Sequence, residues 1–168
     1  MQLRYVTGLD VTAVSAQLET FVEGRPLDDQ GRLARTAAAL APGGLAPAGV
    51  YRGLAQTMGF GSYVGACAEV SVGKDGALKI HRIVAATDPG HVVNPQQVEA
   101  QITGSFVYGL SALFMQECTV KNGRIEQTNF DTYPVLRLRE MPRVETHLAL
   151  SGGDKWGGMG EPGLPPAA

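Results

Sequence analysis

Two-residue alternation between Tyr63 and Val72 is the feature that most limits what this chain can fold into. Val64, Ala66, Ala68, Val70 and Val72 fall on one side, and Tyr63, Cys67, Glu69 and Ser71 on the other. That is the pattern of a strand, because successive side chains of an extended backbone point to opposite faces. Lys74-Asp75-Gly76 carries turn chemistry and Leu78 to Ala86 continues as a partner strand, so the two segments read as a β-hairpin. The hairpin ends at Asp88-Pro89-Gly90.

The period then changes. Asn94-Pro95 pairs a capping side chain with the ring that suits the first helical position, which predicts a helix from there to about Met115. Val98, Ile102, Phe106, Leu110 and Leu113 form its apolar stripe, while Gln97, Gln101, Gly104, Ser105 and Tyr108 lie on a small or amide-bearing face. That second face lets something come close, either the chain's own sheet or a ligand. Beyond the helix, Glu117 to Val120 and Arg124 to Gln127 flank Lys121-Asn122-Gly123 as a second hairpin. Pro134 and Pro142 interrupt the next segment, and Arg143 to Leu150 reads as a last strand. The order β-β-α-β-β-β predicts an α+β fold, with mainly antiparallel β-hairpins packed on a long helix.

Two helices are expected further upstream, one carrying Val11, Val14, Leu18, Phe21 and Val22, the other running from about Gln30 to Leu40. The Ala/Pro/Gly-rich stretch 41–50 reads as a linker, so residues 1–45 form a helical lead-in and 46–168 a denser domain. The 168 residues, 44% of them hydrophobic, suffice for one domain with a sizeable core. A net charge of -2 and a pI near 5.9 leave no basic excess to hold a phosphate backbone, which argues against nucleic acid as a partner. No apolar run approaches the ~20 residues of a membrane span and no export signal is recognisable, so the sequence as it stands reads as cytoplasmic. Cys67 and Cys118 belong to no C-x-x-C and are expected to be buried small hydrophobes; His81, His91 and His147 are scattered. No metal site built from protein side chains is predicted.

Towards the C-terminus, Trp156-Gly-Gly-Met-Gly-Glu161-Pro-Gly presents one carboxylate in an otherwise uncharged, glycine-rich loop, as catalytic bases often are. Pro162 suits a helix start, which would leave Glu161 beside the positive end of a dipole. Gly158 to Gly163 formally satisfies G-x-G-x-x-G. A dinucleotide fingerprint, however, opens a long helix inside a βαβ unit, and here Pro165-Pro166 follow.

Four blocks occur in a recognisable order: Gly61-Ser-Tyr-Val-Gly-Ala-Cys-Ala-Glu-Val-Ser-Val72, Thr87-Asp-Pro-Gly-His-Val-Val-Asn-Pro95, Gln101-Ile-Thr-Gly-Ser-Phe-Val-Tyr-Gly109 and Gly160-Glu-Pro162. Together they resemble the C-terminal part of the molybdopterin-binding large subunit of the xanthine dehydrogenase and aldehyde oxidase family, in particular its isoquinoline 1-oxidoreductase type. Asn129 to Leu136 and Glu140-Met-Pro142 match as well. The resemblance implies that 46–168 is a partial molybdenum cofactor-binding domain. It implies a hydroxylase that oxidises an aldehyde or N-heteroaromatic carbon with water-derived oxygen, the electrons leaving through iron–sulfur clusters on a small partner subunit. It gives Glu161 the role of general base and Gln101 a contact to the pterin. Gly104 and Ser105 would allow close approach, and Gly158 and Gly160 would lend backbone amides near the metal. A full subunit of that family is several times longer, so the chain is expected to need the rest of the large subunit and to be inactive alone. An export signal in a missing N-terminal part would make the enzyme periplasmic. The alternative is a non-catalytic remnant acting as an association module.

Overall fold

The computed structural model describes residues 46–152, 154 and 156–167. The two upstream helices read from the sequence lie outside those residues. Three antiparallel strands come first: β1 (Tyr51–Gly59), β2 (Ser62–Val72) and β3 (Leu78–Asp88). A 20-residue helix, α1 (Pro95–Phe114), follows, then a small hairpin of β4 (Val120–Lys121) and β5 (Arg124–Ile125), and finally β6 (Arg143–Leu148). The main sheet has the order β1-β2-β3-β6.

Local chemistry accounts for most of these boundaries. Asn94 caps α1, its Oδ1 accepting from the Gln97 amide at 3.3 Å, and Pro95 opens the first turn. Asp75 Oδ1 accepts from Ala77 N at 3.1 Å and shapes the β2–β3 turn. Asn122 and Gly123 have φ values of 50 and 75°, the left-handed pair that a two-residue hairpin turn needs.

Two features differ from the sequence reading. Strand β1 occupies a segment that gives no alternation signal, because the positions sharing a face with Val64, Ala66 and Ala68 are Thr57, Ala55 and Gly53. Small and polar side chains suffice there, since β2 supplies the bulk. And β6 pairs with β3 in parallel, from Arg82↔Arg143 to Thr87↔Leu148. The intervening helix makes the crossover that a parallel neighbour requires.

The core lies between the sheet and α1. Val64, Ala66, Ile83 and Ala85 meet Ile102, Phe106 and Leu110, with Val98, Leu113, Val144 and Met159 around them. On the opposite sheet face, Cys67, Val84 and Ala86 form a smaller cluster with Leu54. Burial pushes the Cys67 thiol up from its ordinary range. Cys118, by contrast, is exposed, against the expectation that both cysteines would be buried: it follows the end of α1, outside the sheet–helix layer.

Candidate functional site at the glycine loop

The loop after β6 is bound to the ends of three strands. Ala149 N extends the parallel ladder by donating to Thr87 O at 2.8 Å. The fully buried Asp88 carboxylate then joins two segments, its Oδ1 accepting from Gly90 N at 2.8 Å and Ser151 N at 3.1 Å. Gly152 N donates to Gly90 O at 3.0 Å, and Gly157 N to Pro89 O at 2.8 Å. His91 stacks on Trp156 with ring centroids 4.9 Å apart. Finally the loop reaches the tip of the β1–β2 hairpin, where Gly158 N donates to Phe60 O at 2.9 Å and Ser62 Oγ donates to Gly158 O at 2.6 Å.

From there the chain runs along α1. Met159 packs into the sheet–helix core. Gly160 lies beside Gln101: a Cβ placed on it would come within 3.5 Å of Gln101 Oε1. Pro162 and Gly163 are buried, and a side chain at Gly163 would collide with Ser105 Oγ. The close approach predicted at Ser105 is therefore made by the chain's own Gly163, and the Ser105 hydroxyl donates to Ile102 O at 2.7 Å. Gly104 instead faces open space, with nothing within 4 Å of where its Cβ would be.

Of the predicted site residues, the fold brings Gln101, Ser105, Gly160 and Glu161 to one region and leaves Gly104 on the same helix, open to approach. Gly158 is different, because its amide is already committed to Phe60 O. One expectation about Glu161 is corrected. No helix opens at Pro162: Leu164 N donates to Glu161 O at 2.9 Å in a turn, followed by a single 3-10 turn at Pro165–Ala167. A dipole argument for the carboxylate therefore lapses. Glu161 is also exposed, so this chain by itself does not enclose it.

Ser62, Phe60 and Asp88 are the residues sequence reasoning missed. Asp88 is legible only as the end of a hairpin, and Ser62 falls just before the strand predicted from Tyr63; their partners lie 63 and 96 residues away. No local spacing carries that information.

The exposed face of α1, with Gln97, Gln101 and Tyr108 around the open Gly104, offers amides and space for a flat, hydrogen-bonding ligand. Among the described residues, no three His, Cys, Asp or Glu side chains come together as a metal-holding group. No described helix is long and apolar enough to cross a membrane.

The fold is that of a cofactor-binding domain: residues 5–142 match the molybdopterin cofactor-binding domain family, to which the chain belongs. The matched span takes in most of 1–45 and stops short of the Glu161 loop. Among curated proteins, the chain is 34% identical over 110 residues to the beta subunit of isoquinoline 1-oxidoreductase from Brevundimonas diminuta, covering 62% of this chain and 14% of that one. It is 31% identical over 88 residues to a membrane-bound aldehyde dehydrogenase of Gluconacetobacter polyoxogenes, covering 52% and 11%. With a nicotinate dehydrogenase subunit from Pseudomonas putida it shares 27% over 112 residues, covering 66% and 9%. The chain thus spans between 9 and 14% of the length of these relatives. Quinoline 2-oxidoreductase from Pseudomonas putida 86 has the same fold over 63% of this chain and 14% of its own, with a TM-score of 0.56 at 23% identity. Aldehyde oxidoreductase from Desulfovibrio desulfuricans shares it over 64% and 12%, with a TM-score of 0.52 at 23% identity.

Proposed function

We propose that this chain is the portion of a molybdenum hydroxylase large subunit that supplies the catalytic carboxylate and one side of the cofactor's seat. The observation that carries the reading is the meeting of Gly160 with Gln101, which sets the Glu161 turn against the open amide face of α1. In this reading the bound molybdopterin cofactor supplies the two-electron redox chemistry by which water-derived oxygen is placed on an aldehyde or N-heteroaromatic carbon. The residues of this chain do the rest. The Gln101 amide donates to and accepts from a pterin edge, Gly104 leaves room for a flat group, and Gly160 lets backbone come close to it. Ser105 and Gly158 act one step back, by seating the loop. The Glu161 carboxylate takes the proton from the oxygen nucleophile, with enclosure completed by the remainder of the large subunit. Electrons pass to an iron–sulfur partner subunit. The isoquinoline and nicotinate names of two relatives favour a heteroaromatic substrate, and the aldehyde dehydrogenase keeps aldehydes in view.

Exchanging Glu161→Gln in the assembled, cofactor-loaded enzyme should lower kcat by at least about 100-fold with molybdenum content retained. Unchanged turnover would overturn the assignment. The isolated 168-residue chain should neither retain stoichiometric molybdenum nor oxidise substrate in a dye-linked assay.

A second reading, a non-catalytic association module, is favoured by the apolar side chains exposed after α1: Val120, Ile125, Phe130 and Leu138 are 69, 56, 77 and 94% exposed. A docking module of that kind would be indifferent to Glu161→Gln.

A further inference from the structure

The loop bearing Glu161 is fastened at one residue, Gly158, by the tip of the β1–β2 hairpin, whose own residues have no part in the roles assigned above. Ser62 is fully buried, and its hydroxyl donates to Gly158 O at 2.6 Å. The neighbouring Phe60 carbonyl accepts the Gly158 amide at 2.9 Å. Gly158 is thus held through both its N–H and its C=O by the two residues on either side of Gly61. Gly157 fits there only because it lacks a side chain, since a Cβ would collide with Ser62 Oγ and lie 2.8 Å from Gly61 O. The tip itself is costly: Phe60 has φ 52° and Gly61 77°. A bulky residue in the left-handed region is uncommon and persists where its surroundings over-determine it.

We propose that Ser62, with the Phe60–Gly61 tip, is a positioning element that fixes the loop carrying Glu161. Between the latch and Glu161 only Met159 and Gly160 intervene, the first packed in the core and the second against Gln101. Little slack remains to absorb a displaced Gly158, so its looseness would reach the carboxylate. The catalytic consequence rests on Glu161 being the base; the fastening of the loop does not.

Amide hydrogen exchange on the full chain, resolved by residue, tests it. Ser62→Ala should speed exchange of the hydrogen-bonded Gly157 and Gly158 amides by about tenfold or more while α1 and β3 stay within about twofold. Unchanged loop rates, or a uniform rise across loop, helix and sheet, would overturn it. Phe60→Gly keeps the carbonyl and relieves the left-handed strain, so the loop should stay protected; a rise equal to that of Ser62→Ala would show that the ring, not the latch, holds it. If Ser62→Ala does not fold, the unaltered chain still decides. Its Gly158 amide must be protected in step with the start of β2, and exchange at the rate of an unstructured peptide sinks the latch. In the assembled enzyme, Ser62→Ala should lower kcat between about 10- and 100-fold, with KM and molybdenum content retained. Loop loosening with turnover unchanged would leave the latch standing and remove Glu161 as the base.

Discussion

The helix-facing side of the sheet closes on Phe106, Ile83 and Ile102, whereas the other side of the same strands carries a chain of ion pairs. There Arg52, Glu69 and Arg82 stand in register on β1, β2 and β3. Glu69 accepts from Arg52 Nη2 at 2.9 Å and from Arg82 Nε at 2.8 Å. Arg82 reaches on to Glu145 at 3.4 Å, and Arg143 pairs with that carboxylate at 3.3 Å. The first side is held by non-directional burial, which scales with apolar area. The second, beside its small cluster of Cys67, Val84 and Ala86, is held by directed bonds whose worth falls as the pairs emerge into water. What differs between them is how much a single side chain can cost.

The largest effect is expected on the apolar side. Phe106 is fully buried in the middle of α1 and touches the sheet, so Phe106→Ala removes transfer energy and leaves a cavity. A loss of about 3–5 kcal/mol in denaturant unfolding is expected. A loss under about 1 kcal/mol would mean that the sheet and helix do not share the core described.

Glu69 comes next, the most buried member of the ion-pair chain. The hydrogen bond from Arg82, reinforced by Arg52 and only partly opposed by burial, holds the Glu69 carboxyl down to about 2 from an ordinary 4.5. A carboxyl depressed on folding stabilises fully above its unfolded value and loses that contribution as pH falls through the folded one. Unfolding free energy should therefore fall between about pH 4.5 and pH 2. Glu69→Gln should cost on the order of 2 kcal/mol at neutral pH and flatten that acid limb. An identical pH profile in the variant would show that Glu69 is not the group responsible.

The apolar side was also the legible one. Alternation in β2 and the Val98-Ile102-Phe106-Leu110 stripe locate strand, helix and core from sequence because each pattern is local and periodic. The directed contacts were not legible. Nothing near Glu69 names Arg82 as its partner, and nothing near Gly158 names Ser62, since the first pairing depends on the register of β2 on β3 and the second on a crossover that brings β6 beside β3. The site divides in the same way. The Glu161 loop stands out by composition and Gln101 by the family resemblance, while the exposure of Glu161 and the covering of Ser105 by Gly163 follow only from how the loop lies on α1.

The smallest effect belongs at the open end of the ion-pair chain. Arg143 is 77% exposed against 26% for Glu145, and their contact spans two positions of one strand, so the guanidinium keeps most of its hydration and the pair pays the entropy of two long side chains. Arg143→Ala should change stability by no more than about 0.5 kcal/mol, against about 2 kcal/mol for Glu69→Gln. Raising salt from low to near-molar concentration should erase what difference there is. The same salt series should leave most of the Glu69 contribution, because that carboxylate is bonded by two guanidinium groups with only 10% of its side chain exposed. If Arg143→Ala and Glu69→Gln cost the same, the gradient from buried to open along this face is wrong, and the ion pairs act as one cooperative network instead.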